Sequence, residues 1–305
     1  MNYPFEHFAK SALNSSAQIM LQKNAVTGLL FLVGIGINST TMLLGCVLAI
    51  LSSLVTAKLL KYDLDSVAKG LYGFNAALVG IAVFYFIPLS FTALFLVIVV
   101  AVSSTLLMHF MLTKMPAIPA LTAPFILSTW MLVLIIDYAG LVISSQENQE
   151  SVVAPITLSF ITALSGVLRG VGQVMLQDNW LTGAVFCCAL LCNSYQAAVW
   201  AIFSSLISFL IAIGLDFPQE KAMMGLYGFN GCLVAIALID RYPNKYSITI
   251  FAILLSVLLT RAFEIIALPT LTAPFVITTW FMIGLVKLKS TFDKKRLSKI
   301  DFKPG

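Results

Sequence analysis

The chain has 305 residues, of which 60% are hydrophobic and 10% charged. A soluble domain is roughly 45–50% apolar and about 25% charged, so a water-facing surface cannot hide this excess, and soluble globular and disordered classes are disfavoured. The net charge is +5, and seven of the 18 basic residues (Lys287, Lys289, Lys294, Lys295, Arg296, Lys299 and Lys303) lie in the last 19 positions, which reads as a cytoplasmic topology anchor before it reads as a nucleic-acid site.

The first stretch, about residues 6–23, has helical spacing but is too polar and too short to cross a bilayer. Glu6, His7 and Asn14-Ser15-Ser16 stand where a cleaved signal would need its apolar core. Membrane-length runs follow near 26–36, 39–57, 66–87, 90–112 and 119–144. The first is shorter than the ~20 residues of a span; Gly34, Gly36, Asn38 and Ser39 suggest that it bends into the next. A linker with Glu147 and Glu150 and no Lys or Arg comes next, then a second semi-polar stretch at 164–178. Further runs fall near 181–192, 194–214, 222–240, 246–264 and 269–286. Both semi-polar stretches read as re-entrant or interfacial helices. Cys46, Cys187, Cys188, Cys192 and Cys232 all sit inside apolar runs and read as small buried hydrophobes, with no metal partner near them in sequence.

The chain repeats itself. GLYGFNAALVGIA at 70–82 returns as GLYGFNGCLVAIA at 225–237, with ten of 13 positions identical at an offset of 155. QIMLQKNAVTG at 18–28 returns as QVMLQDNWLTG at 173–183, again 155 later, and LTAPFILSTW at 121–130 returns as LTAPFVITTW at 271–280, 150 later. Three matches in one order at nearly one offset predict a duplicated half-transporter. The expected organisation is a first repeat at 1–150, a second at 151–286 and a basic cytoplasmic tail at 287–305. The expected fold is an all-α polytopic membrane protein with ten transmembrane helices and two re-entrant helices.

An odd number of spans per repeat inverts the second against the first. With both termini inside, the inner side holds Lys10, Lys23, Lys58, Lys61, Lys69, Lys114, Arg241, Lys245 and the seven tail residues. The outer side then holds only Arg169, Lys221 and Arg261, and this asymmetry supports the topology.

Inverted repeats place a pathway on their shared pseudo-two-fold axis, so polar or aromatic residues that recur inside apolar runs are the candidates. Phe74 and Phe229 in GLYGFN read either as core or lipid contacts or as two rings across a slot that selects flat molecules by stacking. The glycines around them read as close helix packing. Asn75 and Asn230 are amides that need partners when buried. Thr122 and Thr272 lie in IPALTAPF (118–125) and LPTLTAPF (268–275), where Pro119, Pro124, Pro269 and Pro274 break the spans into half-helices. Each hydroxyl either bonds its own kinked backbone or lines a pore. Gln18 and Gln173, with Gln22 and Gln177 four residues on along the same face, form either an interfacial polar stripe or amides at the mouth of the slot. No charged residue or histidine recurs as a like pair inside the spans; His109 is alone, and Asp137 lies near an outer end. A lumen without charges suits a neutral solute and argues against proton or sodium coupling.

The doubled IPALTAPF and LPTLTAPF box, with GLYGFN about 45 residues upstream in each half, resembles the urea transporter family, bacterial branch, over essentially the whole chain. The resemblance implies passive, channel-type urea transport, no enzyme activity, no cofactor or metal, and a homotrimer in the bacterial inner membrane with a pore in each subunit. It also implies roles for single residues. Phe74 and Phe229 would flank the planar permeant, and Leu78 and Leu233 would line the slot. Thr122 and Thr272 would face each other at the constriction, and Gln18 and Gln173 would add to the acceptor ladder at the mouths. Leu21 and Leu176 stand where the family often has an aromatic residue, so the outer clamp is looser. The alternatives are a channel for another small neutral solute (ammonia, water or a short amide) and an intramembrane enzyme or sensor, for which no acid or histidine cluster and no output domain is visible.

Overall fold

The computed structural model describes residues 5–138, 140 and 159–300. The linker residues Glu147 and Glu150 lie outside the described residues. The described chain is helical, without strands. In the first half, α1 (Phe5–Ala17) runs into a 3₁₀ turn (Gln18–Met20), followed by α2 (Ala25–Asn38), α3 (Thr40–Leu59), α4 (Leu64–Ala68), α5 (Gly73–Phe86), α6 (Phe91–Lys114) and α7 (Ala123–Tyr138). In the second half, α8 (Phe160–Gly172) runs into a 3₁₀ turn (Gln173–Met175), followed by α9 (Trp180–Leu191), α10 (Tyr195–Gly214), α11 (Gln219–Met223), α12 (Phe229–Arg241), α13 (Tyr246–Ile265) and α14 (Ala273–Ile300). The helix order recurs element by element.

Local chemistry sets these boundaries in both halves. Asn24 accepts hydrogen bonds from the Val26 and Thr27 amides at the start of α2, and Asn179 accepts from the Leu181 amide at the start of α9. Ser39 and Ser194 cap α3 and α10 in the same way. Between each semi-polar helix and the next, Leu21 and Leu176 take left-handed φ values of 60° and 57°. The chain bends there by 74° in the first half and 72° in the second. Each semi-polar stretch is thus one arm of a bent pair, either a broken span or a re-entrant loop.

α3, α6, α10 and α13 are long and apolar enough to cross a membrane, and each bent pair could make one more span. The runs 66–87 and 222–240 are not single helices. Gly70 and Gly225, at φ 78° and 77°, turn the chain between a short helix and a longer one, α4 to α5 and α11 to α12. α5 has 14 residues and α7 has 16, so they reach about 21 and 24 Å against a hydrocarbon core of about 30 Å. α14 continues past its apolar part to Ile300, so the tail is helical that far.

α5 and α12 form the centre. Every residue of α5 from Gly73 to Phe84 is buried, as is α12 from Phe229 to Ile236. A helix buried on all sides needs small residues where neighbours cross. A Cβ on Gly80 would collide with the Gly45 carbonyl of α3, and one on Gly73 with the Ser15 hydroxyl of α1. The outer helices show the opposite pattern, with Phe91, Phe95, Phe110, Leu210, Phe251 and Leu258 exposed. Their only good solvent is lipid. Three of the five cysteines, Cys46, Cys187 and Cys232, are buried as expected; Cys188 and Cys192 are exposed, because they fall on the outer side and end of α9.

The Gly80 contact is open to test. Gly80→Ala should lower thermal stability in detergent by roughly 1–3 kcal/mol, since backbone rather than a movable side chain blocks the added methyl. An unchanged melting temperature would mean that α3 and α5 can part at no cost.

Candidate functional site

The proline boxes do not split a helix in two: α7 and α14 are single helices, each preceded by a non-helical segment, and these segments meet between the halves. The Thr272 hydroxyl donates to the Thr122 hydroxyl at 2.7 Å, and each residue is 2% exposed. Neither hydroxyl is spent on its own backbone; the two residues predicted to face each other are in contact. Leu121 and Leu271, immediately before them, hold left-handed φ values of 48° and 44°. That conformation is costly for leucine, on the order of 1–3 kcal/mol, and persists only where the surroundings over-determine it.

Two sets of bonds do so. Asn75 of α5 accepts from the Phe125 amide at 3.1 Å and donates to the Leu121 carbonyl at 3.1 Å. Asn230 of α12 accepts from the Phe275 amide at 3.1 Å and donates to the Leu271 carbonyl at 3.3 Å and to Thr260 at 3.2 Å. Each amide thus answers the groups freed by its break. The second set crosses between halves: the Trp130 indole donates to the Pro269 carbonyl at 2.9 Å, and the Trp280 indole donates to the Pro119 carbonyl at 2.8 Å. Sequence reasoning missed these tryptophans, although both stand at the end of the repeated LTAPF box.

α2 and α9 make a similar reciprocal contact. Thr27 donates to the Ala189 carbonyl and Thr182 to the Gly34 carbonyl, both at 2.9 Å, while Phe31 and Phe186 pack edge to face at 5.0 Å. Asn193 donates to Gln22 at 2.8 Å and Asn38 to Gln177 at 2.9 Å. Gln22 and Gln177 therefore do not continue the faces of Gln18 and Gln173. The helices end at Met20 and Met175, and the left-handed leucines turn the second glutamines toward the other half.

Phe74 and Phe229 open α5 and α12 and are 4% and 6% exposed; no ring contact joins them. Leu78 and Leu233 follow one turn on, at 1% and 0%. Gln173 and Phe229 border one cavity of about 410 Å³, together with Leu176, Tyr227, Glu264 and Leu271. There the Gln173 side-chain amide donates to the Met224 carbonyl at 3.1 Å, which leaves its oxygen free to accept. Gln18 is half-buried; its carbonyl accepts from the Leu21 amide at 2.9 Å, but its side chain has no hydrogen-bond partner among the described residues, so the two glutamines are not equivalent in detail. Asp137 is exposed in the last turn of α7. His109 is not isolated: its ring stacks on Tyr62 at 3.8 Å and its Nδ1 lies 3.2 Å from the Tyr72 hydroxyl.

The asparagine bonds carry a stability prediction. Asn75→Leu leaves a buried amide and a buried carbonyl unpaired and should cost about 2–5 kcal/mol, read as a lower melting temperature. Retained stability would mean that the Phe125 amide and Leu121 carbonyl find other partners.

The family model described as "UT: Urea transporter" matches residues 9–287. The chain is 31% identical to "Urea transporter 1" of Mus musculus, over 95% of this chain and 80% of the relative. It is 28% identical to "Urea transporter 1" of Ovis aries, over 97% and 81%. The protein of the same name from Rattus norvegicus is 29% identical, over 95% and 80%.

Proposed function

The chain belongs to the urea transporter family, and we propose that it passes urea passively along the line where its two halves meet. The observation that carries this reading is the Thr272–Thr122 contact at the starts of α7 and α14, where the two halves are otherwise joined by reciprocal bonds. Urea is flat, neutral and rich in N–H donors. Phe74 and Phe229 flank its faces, with Leu78 and Leu233 beyond them along the slot. The hydroxyls of Thr122 and Thr272 and the amide oxygens of Gln18 and Gln173 accept its N–H groups. Each such bond nets only about 1 kcal/mol, so binding is weak and release fast. An ion would lose its hydration without full replacement. The protein is a transporter and not an enzyme.

The architecture that suits this function is two inverted repeats, 1–150 and 151–286, followed by the basic tail at 287–305. Each repeat contributes five spans, some of them half-helices completed by non-helical backbone, and one re-entrant helix. The subunit works within a homotrimer in the cell membrane with both termini cytoplasmic, an orientation supported by the basic residues gathered on one side. Single cysteines at the exposed positions of Lys61 and Glu220, in a background lacking the five native cysteines, should label from the inside and the outside respectively. Labelling of both from one side would overturn the inversion.

The functional test is stopped-flow flux in proteoliposomes. Urea should follow its own gradient whatever the pH or sodium gradient; uphill accumulation driven by either would refute a channel. Thr122→Val or Thr272→Val should slow urea roughly five- to tenfold, equivalent to about 1 kcal/mol in the barrier, and slow water less. If stability falls while urea flux per folded protein holds, the threonines are kink residues only. Equal flux of urea, ammonia and water would favour the broader reading, a channel for small neutral solutes.

A further inference from the structure

The GLYGFN segments contain a residue that the slot reading leaves without a task. Tyr72 and Tyr227 stand two positions before Phe74 and Phe229, and each is 2% exposed. A tyrosine buried to this depth needs a partner for its hydroxyl. Both find one on the helix that follows the central helix of their half. Tyr72 pairs with His109 Nδ1 of α6 at 3.2 Å, and Tyr227 donates to Glu264 Oε2 of α13 at 2.6 Å. His109 and Glu264 are themselves 155 positions apart, the offset of the tyrosines. A second ring backs each tyrosine at the same offset, Tyr62 at 5.0 Å from Tyr72 and Phe217 at 5.2 Å from Tyr227.

Comparing the halves separates what is kept from what is free to vary. The partner changes from an imidazole to a carboxylate, so its charge is not the shared property. The shared property is a ring-backed hydroxyl tied to the following helix. Glu264 looks more like an anchor than a docking group, because its oxygens already accept from Lys221 at 2.7 Å and Arg261 at 2.8 Å as well as from Tyr227. His109 is fixed by stacking on Tyr62, with the two rings only 4° from parallel. The tie acts where the chain enters α5 or α12 through a left-handed glycine, Gly70 or Gly225. Other side chains also hold this turn, Asn14 on the Ala68 carbonyl and Ser53 on the Tyr72 carbonyl in the first half and Gln173 on the Met224 carbonyl in the second, and the tyrosine hydroxyl adds the tie to the following helix that recurs at one offset in both.

Building on the slot reading above, we propose that Tyr72 and Tyr227 are positioning residues. Anchored by His109 and Glu264, they fix the two phenylalanines at the separation that grips a flat permeant. A slot defined by two ring faces tolerates little error, since a shift near 1 Å changes whether both faces touch.

The test compares urea with methylurea in proteoliposomes, with melting temperatures measured alongside. Tyr72→Phe and Tyr227→Phe should each lower urea flux about two- to tenfold and bring the urea-to-methylurea ratio toward one. His109→Gln and Glu264→Gln keep an oxygen that can accept from the hydroxyl and should retain the ratio. His109→Leu and Glu264→Leu should reproduce the tyrosine variants. Tyr246→Phe, which removes an exposed hydroxyl remote from the segment in sequence, serves as control. If the tyrosine variants melt earlier but keep flux per folded protein and the ratio, the positioning role is overturned. If Glu264→Gln falls as far as Glu264→Leu while Tyr227→Phe is normal, the carboxylate touches the permeant itself and the proposal fails. Phe74→Leu and Phe229→Leu run in parallel. A changed ratio in these with none in the tyrosine variants rejects the latch alone, whereas no change in the phenylalanine variants rejects the slot and the latch with it.

Discussion

A break in helical backbone that is buried among apolar side chains leaves amides and carbonyls that neither lipid nor apolar neighbours can satisfy, and each orphan costs several kcal/mol. α7 and α14 begin at such breaks, and the surrounding structure is arranged to answer them. Asn75 and Asn230 each bond an amide and a carbonyl at the break of their own half. The tryptophans then reach the proline carbonyls of the opposite half. α5 and α12 must therefore sit beside the breaks, which explains why they are central, buried on all sides and supplied with glycine where α1 and α3 press against α5 and where α8 and α10 press against α12. The outer helices have no such obligations and are built from lipid-tolerant side chains.

The same requirement joins the halves. A bond from Trp130 to Pro269 satisfies one half's carbonyl with the other half's donor, and the Trp280 to Pro119 bond returns it. The Thr27 and Thr182 bonds repeat this logic between α2 and α9. Reciprocity of this kind follows when a duplicated unit packs against its own copy, because any donor that reaches an acceptor across the axis is matched by its twin. Away from the axis the copies are free to differ. Arg169 pairs with Asp178 at 3.3 Å where the first half has Asn14 donating to the Ala68 carbonyl at 2.8 Å. Only residues near the axis are bound by both copies at once.

The duplication was legible because it is written in identical residues at a constant offset, and the caps Asn24 and Asn179 sit in a repeated segment. The Thr122–Thr272 contact was legible for the same reason: a residue on an axis must appear twice. The half-length central helices were not. Hydropathy sums apolar character along a run, and a left-handed glycine between Lys69 and Leu71 leaves that sum unchanged. Gln22 was misplaced by the same blindness, since nothing in the letters of Leu21 announces a φ of 60°. The Trp–carbonyl bonds join residues 139 and 161 positions apart and use backbone acceptors, which carry no side-chain signature. The urea transporter resemblance rested on the boxes themselves and is matched by the family model over residues 9–287.

Hydrogen bonds divide the labour along the proposed pathway. The walls are fixed by amides with two or three partners each and by indoles on carbonyls, bonds that nothing passing through could replace. The Thr272–Thr122 bond differs, because it is a single link between two neutral hydroxyls. Its net worth is about 1 kcal/mol, and a permeant carrying its own donors and a carbonyl acceptor can replace it as it arrives and return it as it leaves. The exchange is close to neutral in energy, so it presents neither a deep well nor a high barrier. Water and urea can both make it, but in the proposed slot a flat molecule would also gain contact with both phenylalanine faces. A bare ion offers no donor to the hydroxyl oxygens or no acceptor to their protons, and it would leave one side of the exchange unmatched. On the proposed reading such a passage needs no coupled ion, since the bonds the permeant brings would replace the one it displaces.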